Sequence, residues 1–176
     1  REARPLLTDP FRFLQKSMSN AHHAILDYAS RHRLRDTPRT TCVACVVQDS
    51  IAYWAHAGDS RLYLMRDGRV ITQTKDHSRI RLLIEEGMIS EAQAAFHPDR
   101  NKIYSCLGSP TPPEIEFSRK TPLNHGDILL PFLRPGHDQS DNYHGRRENQ
   151  RHKYRGDNEG LPDRVKLEAA MLTMKQ

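Results

Sequence analysis

The residues best placed by type and spacing to do chemistry lie in "AHAGDSRLYLMRDGRV", residues 55–70. A Gly-Asp-Ser-Arg step sits there in what otherwise reads as strand, tight turn, strand, tight turn, strand. A plain hairpin needs the turn but not the acid. Asp59 either shapes that turn, capping it and pairing with Arg61, or presents a carboxylate, a hard oxygen of the kind divalent cations take. Two further groups carry reactive types. Cys42 and Cys45 form a Cys-x-x-Cys, but inside the β-branched run "TTCVACVV" their odd spacing sends the thiols to opposite sheet faces. A redox or zinc pair needs both on one side, and no second Cys or His pair stands at ligand spacing, so they read as buried structural thiols. His22, His23 and His32 fall on or near the polar side of a helix, where neighbours point about 100° apart and chelate poorly; they read as solvated.

The elements that must position Asp59 follow from the pattern on either side. Thr8 or Asp9 before Pro10 is a helix start, since a side-chain oxygen caps free N–H groups and proline loses nothing at the first position. Phe11, Leu14, Met18, Ala21, Ile25 and Tyr28 then recur every three or four residues, predicting one amphipathic helix to about Arg35. Pro38 breaks it. Short strands are expected at 41–47, 51–57, 61–66 and 69–73, paired antiparallel because their links are short. Asp67-Gly68 is a two-residue hairpin turn. Ile80, Leu83 and Ile84 fit a helix ending at Gly87, and Ser90-x-x-Gln93 caps a second short one; together they are a flap or a crossover. "NKIYSCLG" and "HGDILL" read as further strands. With a helix over one sheet face, the layers are α+β.

Bulk properties bound the partners. A chain of 176 residues with 36% apolar and 28% charged content suits one domain with a real core. The formal charge of +5 is not concentrated in the middle: Lys plus Arg against Asp plus Glu runs 8 to 4 over 1–40, 10 to 11 over 41–133, and 9 to 7 over 134–176. A solvated helix face accounts for the first excess, and no nucleic-acid partner is expected. Three cysteines, no apolar run near 18 residues and no leader predict a cytoplasmic protein without a membrane span. Residues 1–133 read as the folded part. Residues 134–176 read as a polar, poorly ordered tail with neither strand nor helix period, except a weak helix over 163–176 carrying Val165, Ala169 and Leu172 on one side.

Taken in order, "SNAHHAI", "RTTCVACVV", "AHAGDSRLYLMRDGRVITQTKDHS" and "EEGMISEAQAAFHPDRNKIYSCLG" resemble the metal-dependent protein phosphatases of the PPM (PP2C-type) family in the bacterial style, with Arg39 where that family's Gly-Thr-Thr strand has glycine. The resemblance covers about residues 11–130. It implies an α-β-β-α sandwich of two antiparallel sheets flanked by helices, and hydrolysis of phosphoserine and phosphothreonine esters with Mn²⁺ or Mg²⁺ held between the sheets. Two hard cations bridged by water would supply a hydroxide and neutralise developing charge. The resemblance makes Asp59 a ligand of an additional, weaker metal, with Gly58 allowing close backbone approach and Arg61 anchoring the acid or a neighbouring strand. The implied partners are a phosphoprotein substrate and a serine/threonine kinase.

Other family motifs have no counterpart. Nothing in "REARPLLTDPFRF" resembles the Asp-Gly-x-Gly-Gly that supplies the family's main ligands, and "HGDILL" runs into Pro131 where a Ser-Asp-Gly is expected. Asp141-Asn142 and Asp157-Asn158 show the family's final dipeptide without its strand and read as chance. The break near Pro131 predicts a frame-shifted or degraded copy. Two functions follow: a protein serine/threonine phosphatase, or a non-catalytic remnant that binds phosphoproteins or a partner. Loss of outer strands would leave 41–47 as an open, aggregation-prone edge.

Overall fold

The computed structural model describes residues 6–132 and the strand 166–174. The element order is α1 (Pro10–Arg31), β1 (Arg39–Gln48), β2 (Ile51–Ala57), β3 (Arg61–Arg66), β4 (Arg69–Gln73), α2 (Arg79–Glu85), α3 (Glu91–Ala94), β5 (Glu116–Phe117), β6 (Thr121–Pro122), β7 (Ile128–Phe132) and β8 (Lys166–Met174).

Helix α1 begins as its sequence requires. The Asp9 carboxylate accepts from the Arg12 N–H at 3.0 Å, and Pro10 stands in the first turn. It ends at Arg31, short of Arg35, where Arg33 turns to a φ of 49°. Its apolar stripe, with Leu14 and Met18 fully buried, lies on β1 and β2 through Cys42, Ala44, Val46, Tyr53, Ala55 and Leu107. Phe11 meets Tyr53 edge-on at 5.2 Å between centroids.

Two antiparallel sheets follow. In the first, β1 lies between β2 and β8, and β2 also pairs with β5 and β6. The second has the order β4-β3-β7, with Arg61 opposite Phe132 and Tyr63 opposite Leu130. Asp67 and Gly68 join β3 to β4 with φ of 50° and 74°, the positive pair that a type I′ turn demands. The sheets face each other through Val43, Cys45, Trp54, Leu62 and Leu129. Cys42 thus faces the helix and Cys45 the second sheet, and both thiols are buried outside any disulfide. Helix, sheet and sheet make three layers. Among the described residues no helix covers the outer face of the second sheet, where Ile128, Leu130 and Phe132 stand half exposed.

Four expectations are corrected. Residues 166–174 form a strand, not a helix: the N–H and C=O groups along the β1 edge offer a nine-residue ladder, from Arg39 opposite Met174 to Val47 opposite Lys166, and this tertiary pairing overrides a weak helical period. The same ladder closes the edge at 41–47 that was expected to lie open. "NKIYSCLG" makes only isolated bridges, Ser78 to Ile103 and Thr40 to Leu107. It turns at Gly108, where φ is +80° and a Cβ would stand 2.1 Å from the Pro38 carbonyl oxygen. Pro131 does not interrupt its strand: β7 runs on to Phe132, at the sheet edge where proline is tolerated. The Asp-Asn pairs at 141 and 157 lie outside the described residues.

Candidate functional site

Strands β2 and β3 cross from one sheet to the other through the turn Gly58-Asp59-Ser60, and each flank of Asp59 is fixed by a different neighbour. Gly58 has φ +104°, and a Cβ there would lie 2.3 Å from Cγ2 and 2.6 Å from Cβ of Thr41, so only glycine lets the turn settle on β1. Ser60, fully buried, shares a 2.6 Å hydrogen bond with the Thr41 hydroxyl. From the far side His77 donates its backbone N–H to the Gly58 carbonyl at 3.0 Å, and Gly58 donates its own N–H to His77 Nδ1 at 3.3 Å. Asp59, partly exposed, is carried between two clamped residues.

Arg61 serves the neighbouring segment. Its Nε and one terminal nitrogen donate to the two carboxylate oxygens of Asp76, each at 2.6 Å, while the other reaches the Tyr63 hydroxyl at 3.2 Å. That fork ties the chain after β4 to β3, and the hydrogen bonds that Arg61 donates to Asp76 hold its proton more firmly than usual. Asp127, before β7, is similarly occupied: Arg66 donates to both its oxygens at 2.7 and 2.8 Å and the Asn124 N–H adds a third bond. Arg66 first, then that N–H, bring its pKa down to about 2.

Beside the turn lies a group that sequence spacing did not single out. His56 stands directly opposite Glu116 in the β2–β5 register, and His77 follows β4. Both imidazoles are almost fully buried, with ring centroids 4.6 Å apart, and Tyr104 stacks on His77 at 5.4 Å. Nε2 of His56 donates to the Lys75 carbonyl at 2.6 Å, which leaves Nδ1 as a bare acceptor; burial, before the opposing pull of that carbonyl, lowers its pKa. His56 Nδ1 and His77 Nε2 have no hydrogen-bond partner, and Glu116 Oε2 lies 3.5 Å from His77 Nε2. The signal in the sequence was weak: the three are 21 and 39 residues apart, and only strand register brings them together. His22 is a related correction. It is buried against the sheet, accepting the Gly108 N–H at Nδ1 from 3.1 Å, while His23 and His32 are exposed as expected.

These residues can be tested against the two hard cations that the sequence resemblance implies. Each such ion takes six or more oxygens, several of them carboxylate. Asp76 and Asp127 each accept an arginine fork, and the grouping of ligating side chains found among the described residues, His56 with His77 and Glu116, does not contain Asp59. The described residues therefore do not by themselves assemble a two-cation centre. What the turn can do is hold one carboxylate in a fixed place. Past it, α2, α3 and the 72–78 segment enclose a cleft of about 610 Å³ whose charged lining is Arg61, Lys75, Asp76, Arg81, Glu91 and Arg100.

A helix laid on two face-to-face antiparallel sheets, with a clamped Gly-Asp-Ser-Arg turn passing between them, is the architecture of the metal-dependent protein phosphatases. Residues 4–86 match the family model Protein phosphatase 2C. A putative protein phosphatase 2C-type protein of Streptococcus pyogenes is 40% identical over 91 residues, 52% of this chain and 37% of that protein. The Streptococcus agalactiae serine/threonine phosphatase superposes with a TM-score of 0.63 at 25% identity, covering 73% of this chain and 53% of its own. The catalytic domain of the phosphatase PstP, solved with two manganese ions, gives 0.59 at 27% identity, covering 72% and 52%. The chain spans less than half the length of these curated relatives, 37% of the streptococcal protein and 46% of a Listeria innocua serine/threonine phosphatase. Among the described residues no helix is long and apolar enough to cross a membrane.

Proposed function

We propose that this chain is part of a metal-dependent protein serine/threonine phosphatase, acting on phosphoserine and phosphothreonine in proteins that a serine/threonine kinase has modified. Asp59 is the metal ligand in this reading, for Mn²⁺ or Mg²⁺; Gly58 gives the turn its close approach, and Arg61 fixes the Asp76 segment beside it. The observation that carries the reading is the turn itself, a carboxylate fixed from both flanks by Thr41 and His77 within the span that matches the family. A manganese titration with p-nitrophenyl phosphate tests it: the expected result is metal-stimulated hydrolysis, lost in Asp59→Asn.

A second reading, a non-catalytic remnant that binds phosphoproteins, is favoured by a specific observation: Asp76 and Asp127 each accept an arginine fork, so the described residues leave the cation pair short of carboxylates. Its binding face is the cleft between α2, α3 and the 72–78 segment, where Lys75, Arg81 and Arg100 stand. A flat response to manganese, together with capture of a phosphorylated peptide over its unphosphorylated twin, selects this reading. Hydrolysis rejects it.

A further inference from the structure

We propose that His56, His77 and Glu116 form a site for a borderline transition-metal ion such as Zn²⁺, separate from the hard-cation chemistry assigned to Asp59. Two buried ring nitrogens without partners are the first observation. An unpaired polar atom inside a protein costs free energy, and native folds leave few of them, so His56 Nδ1 and His77 Nε2 together mark a place where something else belongs. Their proximity to a carboxylate is the second. One ligand atom from each residue lies within 4.8 Å of the others, and His77 Nε2 to Glu116 Oε2 is 3.5 Å. Ligands about 2.0–2.1 Å from a tetrahedral ion stand about 3.4 Å apart, so the His77–Glu116 pair is already at that spacing, and the half-exposed Glu116 side chain, whose Oε2 lies 4.0 Å from the His56 ring at Nε2, can turn toward Nδ1.

The donor set chooses the ion. Two imidazoles and one carboxylate suit zinc and its neighbours, whereas Mg²⁺ and Ca²⁺ prefer oxygen alone. The second shell fits at His56: its Nε2–H is held by the Lys75 carbonyl, which fixes the tautomer with Nδ1 bare. His77 must change. Its Nδ1 accepts from Gly58, so Nε2 carries the proton in the free protein. Binding exchanges the tautomer, Nε2 giving up its proton and Nδ1 gaining one, with no net release. The long 3.3 Å bond from the Gly58 N–H is what gives way, while the 3.0 Å bond from the His77 N–H to the Gly58 carbonyl can stay. Zinc binding is thereby coupled to the turn that carries Asp59. With no ion, a water accepting from His77 and donating to His56 and Glu116 satisfies the same three groups.

The test is a zinc titration of the whole chain against a chromophoric chelator, repeated with Co²⁺, whose visible absorption reports tetrahedral coordination. One equivalent bound, with excess Mg²⁺ failing to displace it, is expected. Glu116→Gln should weaken it at least about tenfold, His56→Gln should weaken it further, and Asp59→Asn should leave it unchanged. Because Glu116 is half exposed, its variant folds and reports even where the histidine variant does not. The proposal is overturned if the folded chain captures neither ion, if Glu116→Gln binds as tightly as the parent, or if Asp59→Asn removes the site.

Discussion

At the scale of single residues, the turn depends on what Gly58 lacks. Gly58→Ala asks an L-residue to hold φ +104° and drives a methyl into Thr41 at 2.3 Å, so strain and overpacking act together. A loss of about 2–4 kcal/mol is expected, read as a lower urea midpoint. Thr41→Ser does not rescue it, because the Thr41 Cβ, 2.6 Å away, remains. His22 gives a pH signature. Burial first, then His23, lowers its pKa below the ordinary value of 6.5, so the unfolded chain binds the proton more readily. Its contribution is fully present above pH 6.5 and declines as pH falls below that, since protonated Nδ1 no longer accepts from Gly108. Urea midpoints measured from pH 8 to 5 should fall on the acid side, less steeply in His22→Gln; equal slopes would refute the assignment. Asp59 was legible because four contiguous residues carry it. His56, His77 and Glu116 were not, since strand register over tens of residues makes the group, and His22 was misread because its partner Gly108 is 86 positions away.

Among the elements, periodicity foretold what local chemistry decides. The α1 stripe, the Asp67-Gly68 turn and the Ser90/Gln93 capping box are all present where their residues call for them. Elements decided by neighbours were harder: β8 takes its form from the β1 edge, and 101–108 is bent by its contacts with Pro38 and α1. Two substitutions weigh these elements. Leu14→Ala removes a side chain only 1% exposed between α1 and the first sheet, and should cost about 2–5 kcal/mol, since the surroundings collapse only partly into the space. Asp127→Asn acts at the start of β7. The Asp127 pKa, near 2, lies below its unfolded value, so its contribution is present above about pH 4 and lost as pH falls toward 2. The parent should therefore lose thermal stability over that range, and the variant should begin lower at neutral pH and lose less.

For the molecule as a whole, the decisive feature is its asymmetry. Helix α1 covers the outer face of the first sheet and buries nearly everything beneath it, whereas β7 of the second carries Ile128, Leu130 and Phe132 at alternate positions of one face, each between 47% and 57% exposed. Contiguous apolar surface of this kind associates in water, because joining two such faces removes both from solvent. The edge at β1, by contrast, is paired along nine residues, so that strand is not open to strand-to-strand aggregation. Sedimentation at rising concentration separates the two physical causes. The parent chain should shift to larger species, and Leu130→Lys should stay monodisperse to severalfold higher concentration with an unchanged melting temperature, since a side chain already half exposed contributes little to the core. A substitution that leaves self-association as it was would move the cause away from this face and back to a sheet edge.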